Sequence, residues 1–252
     1  MSAQYSSLAA FYDLLNDSVN YDEWLEFILK AVERDGFKPA SVLDLACGTG
    51  QMALRLARKG LETIAVDLSA EMLSLAKQKA DKEKLDILFL NQDMAEFELY
   101  GTVDLVVCCL DSINYLTSPS RVVSCFSAVN NYLNPGGYFV FDINSEYKFK
   151  HIYADNAYVF ENDKVFCTWQ NYYNPTSRIC DFYLDFFVEQ SGVYKRYGET
   201  QRERCYTLRQ MLSYLKKSGL DVKGVYTDFS FTPADEKNQE NAERFYIICQ
   251  KM

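Results

Sequence analysis

Residues 42–50 read Val-Leu-Asp-Leu-Ala-Cys-Gly-Thr-Gly and connect an apolar run to an amphipathic stretch. The run at 41–46 is typical of a buried strand, and residues 50–59 have the apolar spacing of a helix. The glycines between them match G-x-G-x-x-A, the fingerprint of turns in which a nucleotide cofactor approaches the backbone closely. This stretch therefore predicts an α/β fold with a cofactor site at the end of its first strand.

The same alternation of short apolar runs and amphipathic segments continues to residue 143. It is typical of parallel strands connected by helices on both faces of a sheet. The predicted strands are 41–46, 62–66, 86–90, 103–109 and 137–143, followed near the end of the chain by 220–229 and 244–250. The predicted helices are 6–15, 21–34, 50–59, 70–80 and 119–133, and one more that is opened by Thr207.

A different pattern begins after residue 150. Residues 164–173, 179–189 and 193–206 read as strands joined by short turns. In 179–189 apolar side chains occupy every second position, which is typical of a half-buried antiparallel sheet. Many of the chain's aromatic residues, which make up 15% of the sequence, lie in this region.

These patterns predict one α/β core with an inserted cap. The core would comprise 1–150 and 207–252, and its first 35 residues would form a helical lid. The cap would be the antiparallel β insertion at 151–206.

The composition argues against several classes of protein. The chain has 252 residues and a formal net charge of −9, which opposes nucleic-acid binding as the default function. Its eight cysteines form no C-x-x-C pair and most lie in apolar runs, which indicates reduced core thiols. We expect no metal, no leader peptide and no membrane span, and therefore a cytoplasmic location. The protein is expected to be a monomer or a homodimer.

The charge before the glycine turn distinguishes two kinds of cofactor. A carboxylate at Asp44 opposes a pyrophosphate and favours a cofactor with a cationic head. Asp67 and Asp93 follow the next two predicted strands, where they would accept ribose hydroxyls and hold the adenine edge. A nicotinamide-dependent oxidoreductase on the same fold remains an alternative, although no tyrosine is followed by lysine in a Y-x-x-x-K pattern.

At this point the sequence resembles the class I S-adenosylmethionine-dependent methyltransferases, which share a Rossmann-like, mostly parallel seven-stranded sheet with an antiparallel last strand. Within them it resembles a group of small bacterial enzymes, and more distantly sugar N,N-dimethyltransferases and glycine N-methyltransferase. The matching stretches are VLDLACGTG (42–50), AVDLSAEML (65–73), NQDM (91–94), DLVVCCLDSINYL (104–116) and NPGGYFVFDIN (134–144).

The resemblance implies S-adenosyl-L-methionine as cofactor and S-adenosyl-L-homocysteine as product. The implied cofactor residues are Asp44, Ala46, Cys47, Gly48 and Gly50 on the methionine side, Asp67 at the ribose, Leu68, Met72, Gln92, Asp93 and Met94 around the adenine, Leu110 closing the site, and Tyr12, Tyr21 and Trp24 from the lid. For these three aromatic residues, a place in the core is the alternative.

Acceptor residues are expected just past the fourth strand, where ligands of open α/β sheets bind. Asp111, Asn114 and Tyr115 lie there. The candidate catalytic residues are Tyr12, Tyr115 and His151, the only histidine. For His151 the alternative is an ordinary surface position.

The basic residues of 193–206 have two interpretations. Lys195, Arg196, Arg202 and Arg204 are interspersed with Glu199 and Glu203, which favours a solvated strand face. If the segment instead forms a lid, Arg196 or Arg204 would hold a carboxylate or phosphate of the acceptor.

The function expected from these residues is in-line methyl transfer to an N or O nucleophile of a small molecule. Such a reaction requires alignment and exclusion of water more than a triad or a metal. The alternatives are the oxidoreductase and a non-catalytic regulatory protein that binds S-adenosylmethionine.

Overall fold

A mixed sheet forms the centre of the core region. The computed structural model describes residues 12–34, 36–161, 165–235 and 237–252. The strands within these ranges are β1 (Ser41–Leu45), β2 (Glu62–Asp67), β3 (Ile87–Asn91), β4 (Val103–Cys108), β5 (Leu133–Asn144), β6 (Ala157–Glu161), β7 (Val165–Asn174), β8 (Ile179–Gln190), β9 (Val193–Arg204), β10 (Leu220–Tyr226) and β11 (Arg244–Lys251).

Seven of these strands form the central sheet, in the order β10-β11-β5-β4-β1-β2-β3. Every neighbouring pair is parallel except those of β11, which runs antiparallel to both β10 and β5. The predicted mostly parallel sheet with a reversed last strand is confirmed. Because β1 and β4 lie side by side at the centre, their carboxyl ends meet in one crevice.

Helices cover both faces of this sheet. They are α2 (Tyr21–Glu33), α3 (Gln51–Arg58), α4 (Ala70–Glu83), α5 (Pro119–Tyr132) and α6 (Leu208–Lys217), whereas the short α1 (Tyr12–Leu15) packs with residues of α4 and β8. Successive strand residues point to opposite faces, so Val42 packs with α2 and α3 while Leu43 packs with α5 and α6. Asp44 therefore follows Val42 on the face that α2 and α3 cover.

The remaining four strands form a separate antiparallel sheet, in the order β6-β7-β8-β9. Its apolar face carries Phe182, Leu184 and Phe186 on β8, which belong to one cluster with Phe149 and with Met72 of α4. This cluster joins the antiparallel sheet to the core beside the crevice. The division of the chain into a core domain and a cap domain stays a prediction.

The structure differs from the sequence predictions at several elements. β6 was not predicted, because its five residues form a mostly exposed edge strand without a clear alternation. β5 begins at Leu133, four residues before the predicted start. The predicted helix 6–15 is described only as α1, and its earlier part lies outside the described residues. α2, expected in the lid, buries seven residues in the core.

Candidate active site

A cavity of about 170 Å³ lies at the carboxyl ends of β1 to β4. We call it the pocket. The residues predicted for the cofactor that line it are Tyr12, Ala46, Gly48, Asp67, Leu68, Met72, Gln92, Asp93, Met94 and Leu110. A smaller cavity of about 20 Å³ shares Tyr12, Ala46 and Leu110 with the pocket and is lined also by Asp44, Cys47 and Tyr21.

The glycine turn between β1 and α3 requires its glycines. Gly48 and Gly50 have φ values of +54° and +80°, in the left-handed region that favours glycine. A Cβ at Gly50 would lie only 2.8 Å from the Cβ of Ala76 on α4, whereas a Cβ at Gly48 would meet the Tyr12 ring at 3.6 Å. Gly50 therefore allows α4 to pack closely, while Gly48 faces Tyr12.

Asp67 holds the glycine turn from the end of β2. Its Oδ2 accepts the Gly48 backbone N–H at 2.8 Å, and its Oδ1 accepts the Ser69 N–H at 2.8 Å. Burial raises the pKa of Asp67, and these backbone hydrogen bonds oppose the rise. Each carboxylate oxygen can accept more than one hydrogen bond, so Asp67 can also take ribose hydroxyls.

Replacing Asp67 by alanine should weaken cofactor binding at least tenfold, or about 1.4 kcal/mol. The variant would lose both the acceptor for ribose hydroxyls and the bond that holds Gly48. The dissociation constant of S-adenosylhomocysteine, measured by calorimetry, tests this expectation. Asp81→Ala, which removes an exposed carboxylate from α4, is the matched control. Unchanged affinity in Asp67→Ala would refute the ribose assignment.

Asp44 provides a buried carboxylate beside the smaller cavity. Its side chain is 2% exposed, and its Oδ2 has no hydrogen-bond partner. Burial raises the pKa of Asp44 to about 7, and the charge of Asp67 also raises it, while a backbone hydrogen bond from Ala53 lowers it. An unpartnered buried carboxylate oxygen needs a donor, so the residues present fit a cofactor that carries an ammonium group.

The lining of the pocket includes an ion pair that no sequence pattern predicted. Arg121 Nη2 contacts both carboxylate oxygens of Asp93, at 2.7 and 2.6 Å, and both residues line the pocket. The Gln92 side chain is bonded to the backbone of Glu98. Arg121 lies in the first turn of α5, where the helix dipole disfavours a cation. That unfavourable position was the available signal of a specific role.

Comparisons with known proteins show the family of this chain. The family model described as a methyltransferase domain matches residues 42–137. Over 249 residues the chain is 34% identical to a protein of Geobacillus sp. (strain WCH70) that is named as a methyltransferase, with 98% of this chain and 99% of that protein covered. The crystal structure of an S-adenosylmethionine-dependent methyltransferase from Clostridium acetobutylicum ATCC 824 has a TM-score of 0.88 and 33% identity, with 98% of each chain covered. The chain belongs to the S-adenosylmethionine-dependent methyltransferases.

Membership in this family establishes S-adenosylmethionine as the cofactor and decides against the nicotinamide alternative. The sugar N-methyltransferase KedS8 from Streptoalloteichus sp. ATCC 53650 is 19% identical, with a TM-score of 0.77 and coverage of 95% of this chain and 92% of that chain. At that identity the likeness concerns the fold alone. Asp44 and the glycine turn stay predicted residues for the methionine part of this methyltransferase's cofactor.

A buried ion-pair cluster supports the turn that follows β4. Leu110 and Asp111 both have left-handed backbone, with φ of 57° and 52°, which costs about 1 to 2 kcal/mol per residue. The Asp111 N–H donates to Asp142 Oδ2 at 2.9 Å, and Arg244 Nη2 donates to Asp111 Oδ1 at 2.7 Å. Arg244 also pairs with Asp142. This cluster stabilises the turn that carries Leu110 into the pocket of the methyltransferase.

Glu203 extends the cluster from the antiparallel sheet. It is 2% exposed, and Asn144 Nδ2 donates to it at 3.1 Å. Burial and the nearby charge of Asp111 raise the pKa of Glu203 well above its usual range. Burial opposes ionisation of Asp111 too, but Arg244 and Lys148 hold its pKa below the ordinary value. Glu203 therefore binds its proton more tightly than Asp111 does.

The predicted solvated strand face is confirmed for three basic residues of 193–206 but not for the acidic residues between them. Glu199 and Glu203 are buried, whereas Lys195, Arg196 and Arg202 are exposed. The two-residue period of a strand turns Glu199 and Glu203 toward the core and Arg196 and Arg202 away from it. Lys195 has the same parity as Glu199 but lies in the exposed first part of β9. In sequence the two faces look equally polar, so the side that becomes buried was not evident.

Several residues predicted for the site lie elsewhere. Trp24 is buried against Phe27, Phe229 and Tyr246, so its core alternative is the observed position. Arg196 pairs with Asp185 at 2.8 Å on the exposed face of the antiparallel sheet. These positions leave both residues away from the pocket and the smaller cavity.

Three further candidates also lie outside the two cavities. His151 is exposed beside the Tyr147 ring, which is the surface alternative. Arg204 donates to the Thr117 carbonyl, and the buried Asn114 bonds to backbone atoms of Arg204 and Asn144. Only Tyr115 of the acceptor candidates lines the pocket, and its hydroxyl donates to Gln201 Oε1 at 2.7 Å.

Three further findings concern the cysteines, metal sites and membrane spans. The cysteines are free and, except for the half-buried Cys47, buried, which confirms the prediction of core thiols. Within the described ranges, no group of three or more His, Cys, Asp or Glu side chains is arranged to hold a metal. In the same part of the chain, no helix is long and apolar enough to cross a membrane.

Proposed function

We propose that this methyltransferase transfers the methyl group in line to an N or O nucleophile of a small molecule. The observation that carries the proposal is the junction between the two sheets at the crevice. Tyr115, which lines the pocket, bonds to Gln201 of β9, and Asn144 at the end of β5 bonds to Glu203 of the same strand. An acceptor bound beside this junction would lie between the two sheets. Such a position favours a small molecule over a polymer.

Tyr12 would contribute alignment and exclusion of water rather than a base. It lines both cavities, and burial together with the charge of Asp111 raises the pKa of its hydroxyl well above the usual value. The hydroxyl is thus a donor at neutral pH. Methyl transfer from a sulfonium neutralises charge along the path, so a desolvated and aligned nucleophile is the main requirement.

The acceptor class is tested by incubating the protein with S-adenosylmethionine labelled in its methyl group and a fractionated pool of metabolites, proteins and nucleic acids. We expect label in a small-molecule fraction. The Asp44→Asn variant, which should bind the cofactor poorly, provides the background. Label only in tRNA or DNA would contradict the proposal. Tight binding of S-adenosylhomocysteine without label in any fraction would favour the regulatory alternative.

The in-line geometry has its own test once an acceptor is identified. A cofactor with a chiral methyl group, made from three hydrogen isotopes, should give a product of inverted configuration. Inversion is the result of a single displacement at the methyl carbon. Retention would indicate two successive transfers through a group of the protein, and would contradict direct transfer.

A further inference from the structure

Three side-chain donors converge on Asp13 of α1. Thr49 Oγ1 donates to Asp13 Oδ1 at 2.6 Å, and Gln51 Nε2 donates to the same oxygen at 3.3 Å. Lys79 Nζ of α4 lies 2.6 Å from Asp13 Oδ2, and it also donates to the Thr49 carbonyl at 3.1 Å. One carboxylate thus connects α1 to the glycine turn, to the start of α3 and to α4.

The described part of α1 covers one turn, Tyr12–Leu15. An isolated helix of fewer than about 12 residues is marginal in water, so packing contacts decide where α1 lies. On its apolar side, Tyr12 and Leu15 pack on the cluster that contains Met72 and Phe182. On its polar side Asp13 makes the bonds described above. The position of Tyr12 is thus set by apolar packing and by the Asp13 carboxylate.

Tyr12 is the residue of α1 that reaches the cofactor site. It lines both cavities, and its ring would lie 3.6 Å from a Cβ at Gly48. The ring therefore covers the glycine turn, and it lines the same smaller cavity as Asp44, whose Oδ2 has no partner. A displacement of Tyr12 would open the methionine end of the cofactor site to water.

We propose that Asp13 is a positioning residue that holds Tyr12 over the glycine turn and so slows release of the cofactor and its product. No pattern in the sequence assigns a role to Asp13. Burial opposes its ionisation, but hydrogen bonds from Lys79 and Thr49 outweigh burial and lower its pKa. The carboxylate is therefore charged at neutral pH, and its bond to Lys79 is an ion pair.

The main test is the dissociation of S-adenosylhomocysteine from Asp13→Asn. Asparagine keeps the shape and can still accept from Thr49, but it loses the ion pair with Lys79. We expect the dissociation rate to rise about tenfold by stopped flow, with little change in the melting temperature of the protein without cofactor. Asp22→Asn is the matched control. Asp22 lies on α2, pairs with Arg55 of α3 at 2.8 Å and has a side chain that is 76% exposed. The control should dissociate like the wild type.

A second variant reaches the same ion pair from the other side. Lys79→Met leaves α1 unchanged and removes the cation, so its dissociation rate should rise like that of Asp13→Asn. Wild-type rates in both variants would overturn the proposal. Faster dissociation in Asp22→Asn to the same extent would also overturn it, because the effect would then be a general result of removing a helix charge.

Tyr12 decides whether Asp13 acts through it. Tyr12→Ala should also accelerate dissociation, and the double variant Asp13→Asn/Tyr12→Ala should be no faster than Tyr12→Ala alone. A double variant that multiplies the two effects would contradict positioning of Tyr12 by Asp13. These measurements use S-adenosylhomocysteine without an acceptor, so their outcome is independent of the proposed acceptor class.

Discussion

Asp44→Asn is expected to stabilise the protein without cofactor at pH 8 by up to about 4 kcal/mol, and to weaken binding of S-adenosylmethionine. The pKa of Asp44 is about 7 in the folded state, against an ordinary value of 3.8. A difference of this size corresponds to about 4 kcal/mol, since each pKa unit is about 1.4 kcal/mol. The buried charge is unfavourable for folding and favourable for a cationic cofactor.

The sign follows from proton binding. Because the pKa of Asp44 is raised on folding, its contribution to stability is full below about pH 4 and falls as the pH rises to about 7. Asparagine does not ionise, so the variant avoids this loss. The difference in unfolding free energy between variant and wild type should be small at pH 4 and reach its maximum above pH 7. Urea denaturation at both pH values measures it.

The same substitution should weaken cofactor binding, although it stabilises the protein without cofactor. Asparagine cannot neutralise the ammonium group, so we expect the dissociation constant of S-adenosylmethionine to rise thirty- to hundredfold, about 2 to 3 kcal/mol. Because the cofactor's positive charge favours the ionised carboxylate, wild-type binding at pH 6 should release a proton. Calorimetry in buffers of different ionisation enthalpy detects that release, and Asp44→Asn should lack it.

Asp104 provides the control for Asp44. It lies near the amino end of β4, away from the crevice. Its carboxylate accepts hydrogen bonds from the backbone N–H groups of Ala40 and Ser41 and from the Asn134 side chain. Burial opposes its ionisation, but these hydrogen bonds lower its pKa. Asp104→Asn should therefore destabilise the protein at pH 8 and leave cofactor affinity unchanged. Destabilisation of Asp44→Asn at pH 8 would contradict the assignment of a buried, unpaired carboxylate.

The second large effect is expected at Gly50. Alanine there must adopt left-handed backbone, which costs about 1 to 2 kcal/mol, and its Cβ would lie 2.8 Å from Ala76 Cβ. Overpacking of this kind adds about 1 to 3 kcal/mol. Gly50→Ala should thus lower the unfolding free energy by about 2 to 5 kcal/mol. It should also weaken binding of S-adenosylhomocysteine, because the clash displaces the glycine turn.

Gly60→Ala separates the two contributions. Gly60 has a similar φ of +86°, but a Cβ there has nothing within 4 Å. This variant should incur only the backbone cost and keep normal cofactor affinity. The double variant Gly50→Ala/Ala76→Gly should recover part of the lost stability, since it removes the clash. Equal destabilisation of Gly50→Ala and Gly60→Ala would show that contact with α4 is unimportant. Chemical denaturation of each variant makes the comparison.

Much of the central sheet could be predicted because its signals are local. β1 to β4 are short apolar runs, and amphipathic helices separate most of them. The spacing of apolar side chains that identifies a helix or a strand can be seen within about ten residues. The same locality explains why Asp44, Asp67 and Asp93 could be proposed as cofactor residues. Asp44 lies one residue before the end of β1, Asp67 ends β2 and Asp93 follows β3. The carboxyl ends of parallel strands form the crevice in open α/β folds.

Residues whose role depends on distant partners were missed or misinterpreted. Arg244 lies 133 positions from Asp111 in sequence, and Asp13 lies 66 positions from Lys79. Glu203 alternates with exposed residues, so its burial depends on which side of β9 meets the core. No local pattern encodes those choices, because they are made when β9, β11 and α4 pack beside the crevice.

The sequence by itself determined the order of strands and helices, the glycine turn and the positions of the acidic residues at the strand ends. These follow from backbone preferences and from the period of apolar side chains, which act over short stretches of chain. Only the tertiary structure decided that Asp44 keeps an unpartnered oxygen, that Glu203 is buried beside Asp111, and that Asp13 connects α1 to the glycine turn. Burial and charge pairing depend on long-range packing, and packing sets the pKa of each buried group.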